Sequence, residues 1–255
     1  MIRSEVRAYI NIGALVLVLL FNFLSNAIPF NNLNQGDLSE VYPVLLTPAA
    51  YVFSIWGLIY LGLIAFVVYQ ALPASRENSS VKAVGILFAV SSLFNILWLF
   101  FWHYQLIGWS MIIMILLLAT LIFIYLRIGS VTVEQSVYDR FLVKLPFSLY
   151  LGWITAATLV NFNVLLYDIG WLGLGTGAVF FTILMIIIAA FIALAVFYLH
   201  RDYVYSAVFV WALIGIGVRH GTEILALTII AWLAAAAILF FLGWIAARGS
   251  LPVRR

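Results

Sequence analysis

The 255-residue chain contains no cysteine, which excludes disulfides, thiolate metal sites and cysteine nucleophiles. Charge is nearly as scarce, with 8% of residues charged against 67% hydrophobic. A soluble domain has too little interior to hide that much apolar surface, so the composition specifies an integral membrane protein. Three scattered histidines and no clustered carboxylates cannot build a metal, phosphate or nucleophile motif. No basic cluster of the kind that grips nucleic acid is present. The formal charge of +3 comes from few residues, so where they sit matters more than their sum.

What the chain does have is a series of uncharged apolar runs. Runs of about 20 residues exclude a transmembrane β-barrel, whose strands would alternate over segments of about ten. Bounded by charge, Pro, Gly or Asn, the runs give eight spans, at about 9–27, 48–71, 83–104, 107–127, 143–166, 173–199, 203–219 and 223–246. The expected fold is therefore an all-α integral membrane protein, a bundle of eight transmembrane helices. Placing the N-terminus in the cytoplasm puts eleven of the twelve basic residues inside, with only Arg219 outside, while Asp37, Glu40, Asp168 and Glu223 fall in outer loops. The positive-inside rule then predicts that both termini are cytoplasmic.

The first span reads as a retained helix rather than a signal peptide, because its apolar run is long and Asn22 and Asn26 suit a face turned to the bundle. Residues 29–46 form the longest outer loop, a surface loop that is also best placed to cover an outer-facing site. The connector 127–144 reads as solvated. His103, beside Trp102 and Tyr104 at an outer helix end, fits an interfacial aromatic belt. His200, Arg201 and Asp202 mark an inner turn. Arg219, His220 and Glu223 mark an outer corner, with Arg219 and Glu223 spaced to pair and Thr222 placed to cap the last helix.

Chemistry concentrates in three spans. The second carries Phe53, Trp56 and Tyr60, with the last two on one helical face. The third carries Ser91, Asn95, Trp98 and Trp102, spaced four, three and four. The fifth carries Tyr150, Trp153, Ala157 and Asn161, spaced three, four and four. Each set makes one stripe, and the run directions place the stripes at similar depth. An asparagine amide in hydrocarbon must find partners, so Asn95 and Asn161 should face protein or trapped water. One such residue is ordinary interhelical glue. Two of them, each on a tryptophan-bearing stripe, point to a pocket for a flat apolar ligand, with a packing seam as the other reading. The absence of an ionisable group there argues against a proton-coupled pump.

These motifs resemble the TspO/MBR family, the tryptophan-rich sensory proteins that include the mitochondrial translocator protein. The run Pro48-Ala-Ala-Tyr51-Val-Phe53-Ser-Ile-Trp56-Gly-Leu-Ile-Tyr60 is similar to the family's second-helix motif. Asn95-Ile-Leu-Trp98 matches its N-x-x-W, and Tyr150, Trp153 and Asn161 keep its fifth-helix spacings. Phe53 and Trp56 stand three apart where the family usually has four, and Pro146 precedes Trp153 by seven residues rather than four. The family's usual five helices end near Tyr167. Two functional units follow, a five-helix unit at 1–168 and an added three-helix segment at 169–255.

The resemblance implies a membrane receptor or sensor that binds porphyrin, haem or a similar flat hydrophobic ligand and assists its transport or photo-degradation. It implies ligand-binding roles for Trp56, Tyr60, Asn95, Trp98, Tyr150, Trp153 and Asn161, with no catalytic or metal-ligating residue and no required cofactor. Its expected partners are a porphyrin-like or sterol-like molecule, the lipid bilayer and a second copy in a homodimer, in a bacterial plasma membrane. The alternatives are a transporter or permease component for small apolar solutes, or a structural partner of a membrane complex.

Overall fold

The structure, a computed structural model, describes residues 3–28, 31, 41–132, 135–173 and 175–248. Most of the loop 29–46, including Asp37 and Glu40, and the side chain of Asn26 lie outside the described residues. Every regular element among the described residues is helical. α1 is Ser4–Ala27 and α2 is Ile55–Ala71, the latter entered through a 3₁₀ turn at Ala50–Ser54. α3 (Ser79–Val84) and α4 (Leu87–His103) are two pieces of the third expected span, and α5 is Ile107–Gly129. α6 (Leu145–Asp168), α7 (Thr176–His200), α8 (Tyr203–His220) and α9 (Leu225–Ala247) complete the chain. Seven helical stretches among the described residues are long and apolar enough to cross a membrane, and α4 is a shorter apolar helix of 17 residues. The chain is an all-α, multi-pass membrane bundle.

The helices hide polar residues and show apolar ones, the inverse of a soluble bundle. On α1, Arg7, Asn11, Leu15, Val18 and Ser25 are buried while Val16, Leu20 and Phe23 are exposed. The buried set recurs with helical period, so one stripe meets the protein and the rest meets lipid. Gly85, at φ 59°, separates α3 from α4, a left-handed backbone that glycine adopts without a Cβ clash. The break frees its carbonyl, which accepts from Asn11 Nδ2 at 2.9 Å, and the same amide donates to Gln70 Oε1 at 2.9 Å. A buried side chain on α1 thus ties α2 to the α3–α4 junction.

The fifth span starts earlier than expected. Helical structure begins at Val137, where Ser136 and Asp139 form a capping box, and passes through a π-helical turn at Arg140–Lys144 just before Pro146. The capping box supplies a start signal inside what the charge pattern marks as a solvated connector.

α6 lies at the centre, against α2, α5 and α8. A Cβ at Gly152 would meet Tyr205 O at 3.1 Å and Val208 Cγ2 at 3.1 Å, so α6 and α8 cross at near backbone contact. Asp202, the N-cap of α8, accepts from Tyr125 Oη at 2.8 Å, from Ser148 Oγ and from the Tyr205 amide at 3.0 Å. One apolar core runs from Leu15 on α1 to Ile245 on α9.

Two features at the end of the bundle remote from the N-terminus depart from expectation. His103 is fully buried, its Nδ1–H donating to the Leu99 carbonyl at 2.7 Å, because the helix end faces protein and not the lipid headgroups. Thr222 does not cap the last helix, which starts at Leu225 after Ile224 with no side-chain cap. Arg219 and Glu223 form no ion pair, and the corner is held instead by His220, whose Nε2–H donates to Leu45 O at 2.7 Å.

Candidate functional site

The three aromatic stripes meet in the half of the bundle remote from the N-terminus, around a largely apolar cavity of ≈ 100 Å³. Its lining includes Trp56 and Phe53 from the second span, Trp98 and Trp102 from α4, and Trp153, Ala157 and Asn161 from α6. Tyr42, Leu46, Thr47 and Pro48, from the segment before α2, line it as well. Tyr42 lies 6.0 Å from the Trp102 ring and edge-on to Tyr167 at 6.5 Å. Burial and the nearby Asp168 carboxylate raise its hydroxyl pKa above the ordinary value.

Local geometry explains how each tryptophan is aimed. The i,i+4 spacing of Trp56 and Tyr60 stacks their rings at 5.3 Å and 20°. Trp153 stands edge-on to both Phe53, at 5.8 Å, and Trp56, at 6.2 Å. Trp98 and Trp102 stack at 5.9 Å and 19°. Edge and offset-stacked arrangements of this kind add roughly 0.5–1.5 kcal/mol per pair beyond the area buried.

The seven residues picked out by pattern divide into two groups. Trp56, Trp98, Trp153 and Asn161 line the cavity, whereas Tyr60, Asn95 and Tyr150 do not. Asn95 is buried, donates to Tyr150 Oη at 3.1 Å and accepts from Asn22 Nδ2 at 3.1 Å, joining α1, α4 and α6. Asn161 accepts from Trp98 Nε1 at 3.0 Å, and its Nδ2 donates to Ser110 Oγ at 3.2 Å, joining α4, α5 and α6. The two amides serve separate nodes rather than one shared pocket, and both hold helices together as buried polar groups in a membrane do. Two other buried polar atoms, Trp153 Nε1 and Tyr60 Oη, have no hydrogen-bond partner among the described residues.

The C-terminal helices supply a wall absent from the pattern-based set. Ala189 of α7 and Phe209, Ala212, Leu213 and Ile216 of α8 line the cavity. α8 also grips the segment that carries the opposite wall. The Ala49 amide donates to Gly215 O at 3.0 Å, and Trp211 Nε1 donates to Val52 O at 3.0 Å. A Cβ at Gly215 would fall 2.1 Å from Val52 Cγ2, so only glycine permits this approach. Nothing in the sequence named the partner surface.

The cavity is built for apolar contact, and no charged side chain occurs in its lining among the described residues. No group of His, Cys, Asp and Glu that could hold a metal ion occurs among the described residues. A family model described as TSPO-like protein matches residues 8–244, continuing through the three C-terminal helices. No curated protein and no solved structure matches the chain.

Proposed function

The chain belongs to the TSPO-like family, and from that premise we propose that it is a membrane sensor or receptor that binds a flat hydrophobic ligand, of the porphyrin or haem class, against the indoles of Trp56, Trp98 and Trp153. The observation that carries this reading is the convergence of three tryptophans from three helices on one apolar space. A packing seam would bring the same rings into mutual contact without leaving space between them.

Size sharpens the proposal. Small-molecule sites typically enclose roughly 300–1,000 Å³, so a cavity of ≈ 100 Å³ must widen before it admits a tetrapyrrole. The wall that must give way is the contact between α8 and the segment ending at Phe53, which is built from the Ala49–Gly215 and Trp211–Val52 hydrogen bonds. In this scheme residues 1–168 carry the stacking surface and residues 169–255 close it. Asn161 holds Trp98 in place, while Tyr60, Asn95 and Tyr150 hold the layer that supports Trp56. Eight spans with both termini cytoplasmic belong to the same proposal, and tags on either terminus should react only in permeabilised cells.

The deciding experiment is quenching of intrinsic tryptophan fluorescence by a porphyrin in detergent. Saturation at one porphyrin per chain, with weaker affinity in Trp56→Ala and Trp153→Ala, is the expected result. Quenching that rises without saturation, or that is unchanged in both folded variants, sinks it.

A further inference from the structure

The end of the bundle that carries the N-terminus holds a second concavity, separated from the aromatic cavity by about a turn and a half along α6 and α8. It is an open basin of ≈ 700 Å³ between the start of the α6 rod and the α7–α8 turn, and Arg140, Lys144 and Arg201 line it together with Asp202. Asp202 is committed inward, since both its carboxylate oxygens accept from protein donors, Oδ1 from the Tyr205 amide and Oδ2 from Tyr125 and Ser148. The three cations have no carboxylate partner among the described residues.

The neighbouring loop at the same end behaves differently. There Arg76 pairs with Glu5 at 3.0 Å and Lys82 with Glu77 at 2.6 Å. Positive charge placed only to set orientation needs to lie in a loop and nothing more. Convergence of three cations on one concavity, against the single carboxylate of Asp202 among its described residues, goes beyond that requirement.

Arg201 shows the same selectivity in its backbone. It ends α7 in the left-handed region, at φ 53° and ψ 38°, a helix-terminating position that glycine usually fills. A side chain with a Cβ strains the backbone there by about 1–2 kcal/mol, and here it places a guanidinium beside the basin. Its Cζ lies over the Phe197 and Tyr198 rings, 5.8 and 5.9 Å from their centroids, and Nη1 is enclosed without a hydrogen-bond partner among the described residues. An enclosed guanidinium N–H without an acceptor is costly, and a phosphate oxygen is the acceptor whose geometry suits it best.

We propose that Arg140, Lys144 and Arg201 form a binding site for a phosphate-bearing anion, which in the membrane is the headgroup of an anionic phospholipid. The surroundings favour an amphiphile. Val137, Tyr138 and Phe141, on the helical turn that leads into the basin, are 65%, 67% and 62% exposed. Large apolar side chains beside basic ones at a helix end are the arrangement of an element lying in the headgroup region. The headgroup would sit on the cations while its acyl chains run past Phe141 along the bundle. This site does not depend on the aromatic cavity having a ligand.

The test uses the full chain in detergent micelles, titrated with phosphatidylglycerol or with phosphatidylcholine, and reads the melting temperature and the phospholipid retained in native mass spectrometry. Phosphatidylglycerol should raise the melting temperature more than phosphatidylcholine, with one lipid retained per chain. Half-saturation should weaken about tenfold or more in Arg201→Gln and in the double variant Arg140→Gln/Lys144→Gln. Arg127→Gln, which removes a charge from the same end outside the basin, should match the parent. The double variant decides the matter if Arg201→Gln does not fold, since Arg140 is exposed and neither residue makes an internal ion pair. Inorganic phosphate in lipid-free micelles at constant ionic strength separates the sources. An Arg201-dependent shift with phosphate supports a site for the free anion, and a shift with lipid alone supports the anchored headgroup. Equal shifts for both lipids with none for phosphate, an undiminished shift in the double variant, or an equal loss in Arg127→Gln would overturn the proposal.

Discussion

Two layers of the same aromatic column behave differently. In the layer around Trp98 and Trp153, indole faces border open space. In the layer around Tyr60, Asn95 and Tyr150, side chains from α1, α2, α4 and α6 meet one another through hydrogen bonds and ring contacts. Both layers carry the same residue types at the same helical spacings. What separates them is a neighbour: α1 presents Asn22 to the sealed layer, whereas small residues Ala156 and Ala157 of α6 and Ala212 of α8 face the open one. Space in a membrane bundle is set by where small side chains oppose large ones, since packing is otherwise as dense as in any protein interior.

The largest expected effect comes from cutting into the open layer. Trp153 is only 4% exposed and makes edge contacts to Phe53 and Trp56, so Trp153→Ala should cost about 3–5 kcal/mol of stability, with Trp153→Phe costing much less. The melting temperature in detergent measures this. Porphyrin should raise that temperature by mass action in the parent, and the increment should shrink in the Ala variant. Gly215→Ala should come next, at about 1–3 kcal/mol for overpacking against Val52. Here the increment should grow, because the added methyl pushes the segment before α2 off α8 and widens the cavity. An increment that moves in the same direction from the parental value in both variants would break the distinction between wall and clasp.

The bundle was legible because a membrane imposes length and polarity together: seven helical stretches among the described residues are long and apolar enough to cross it, and the third run holds the shorter helix α4 with α3 before it. Breaks within runs were less legible. Gly85 divides α3 from α4 through a backbone conformation, and glycine occurs at several helix-interior positions that do not break. Trp56, Trp98, Trp153 and Asn161 could be picked out because they recur at helical spacing. Phe209, Leu213 and Ile216 could not, since on α8 they look like any other apolar face until the partner surface is known. Asp202 and His220 were visible only as turn residues, and their roles depend on Tyr125, Ser148 and Leu45, which are remote in sequence.

A change in the sealed layer should separate stability from ligand response. Asn95→Ala removes one of the acceptors of Asn22 and the donor to Tyr150, and losing hydrogen bonds to a buried hydroxyl costs about 1–3 kcal/mol. Melting temperature should fall while the porphyrin-induced increment stays at the parental value. A diminished increment in folded Asn95→Ala would place that residue in the ligand's surface and merge the two layers.

The smallest effect is expected from a pair of hydroxyl deletions within that sealed layer. Tyr150 Oη accepts from Asn95 Nδ2 at 3.1 Å, so Tyr150→Phe leaves a buried amide hydrogen with one partner fewer and should cost about 0.5–1.5 kcal/mol. Tyr60 Oη is buried with no partner among the described residues. The folded state of the parent therefore already bears the desolvation of that hydroxyl without a compensating bond, and Tyr60→Phe removes the unsatisfied group while keeping the ring stacked on Trp56. The variant should melt at the parental temperature or slightly above it, with a gain of at most about 1 kcal/mol. Because Tyr60 supports Trp56 through ring contact alone, porphyrin quenching should not change. If Tyr60→Phe instead melts well below the parent, Oη has a partner such as an enclosed water, and the layer beneath the cavity is a hydrated polar site and not a dry seal.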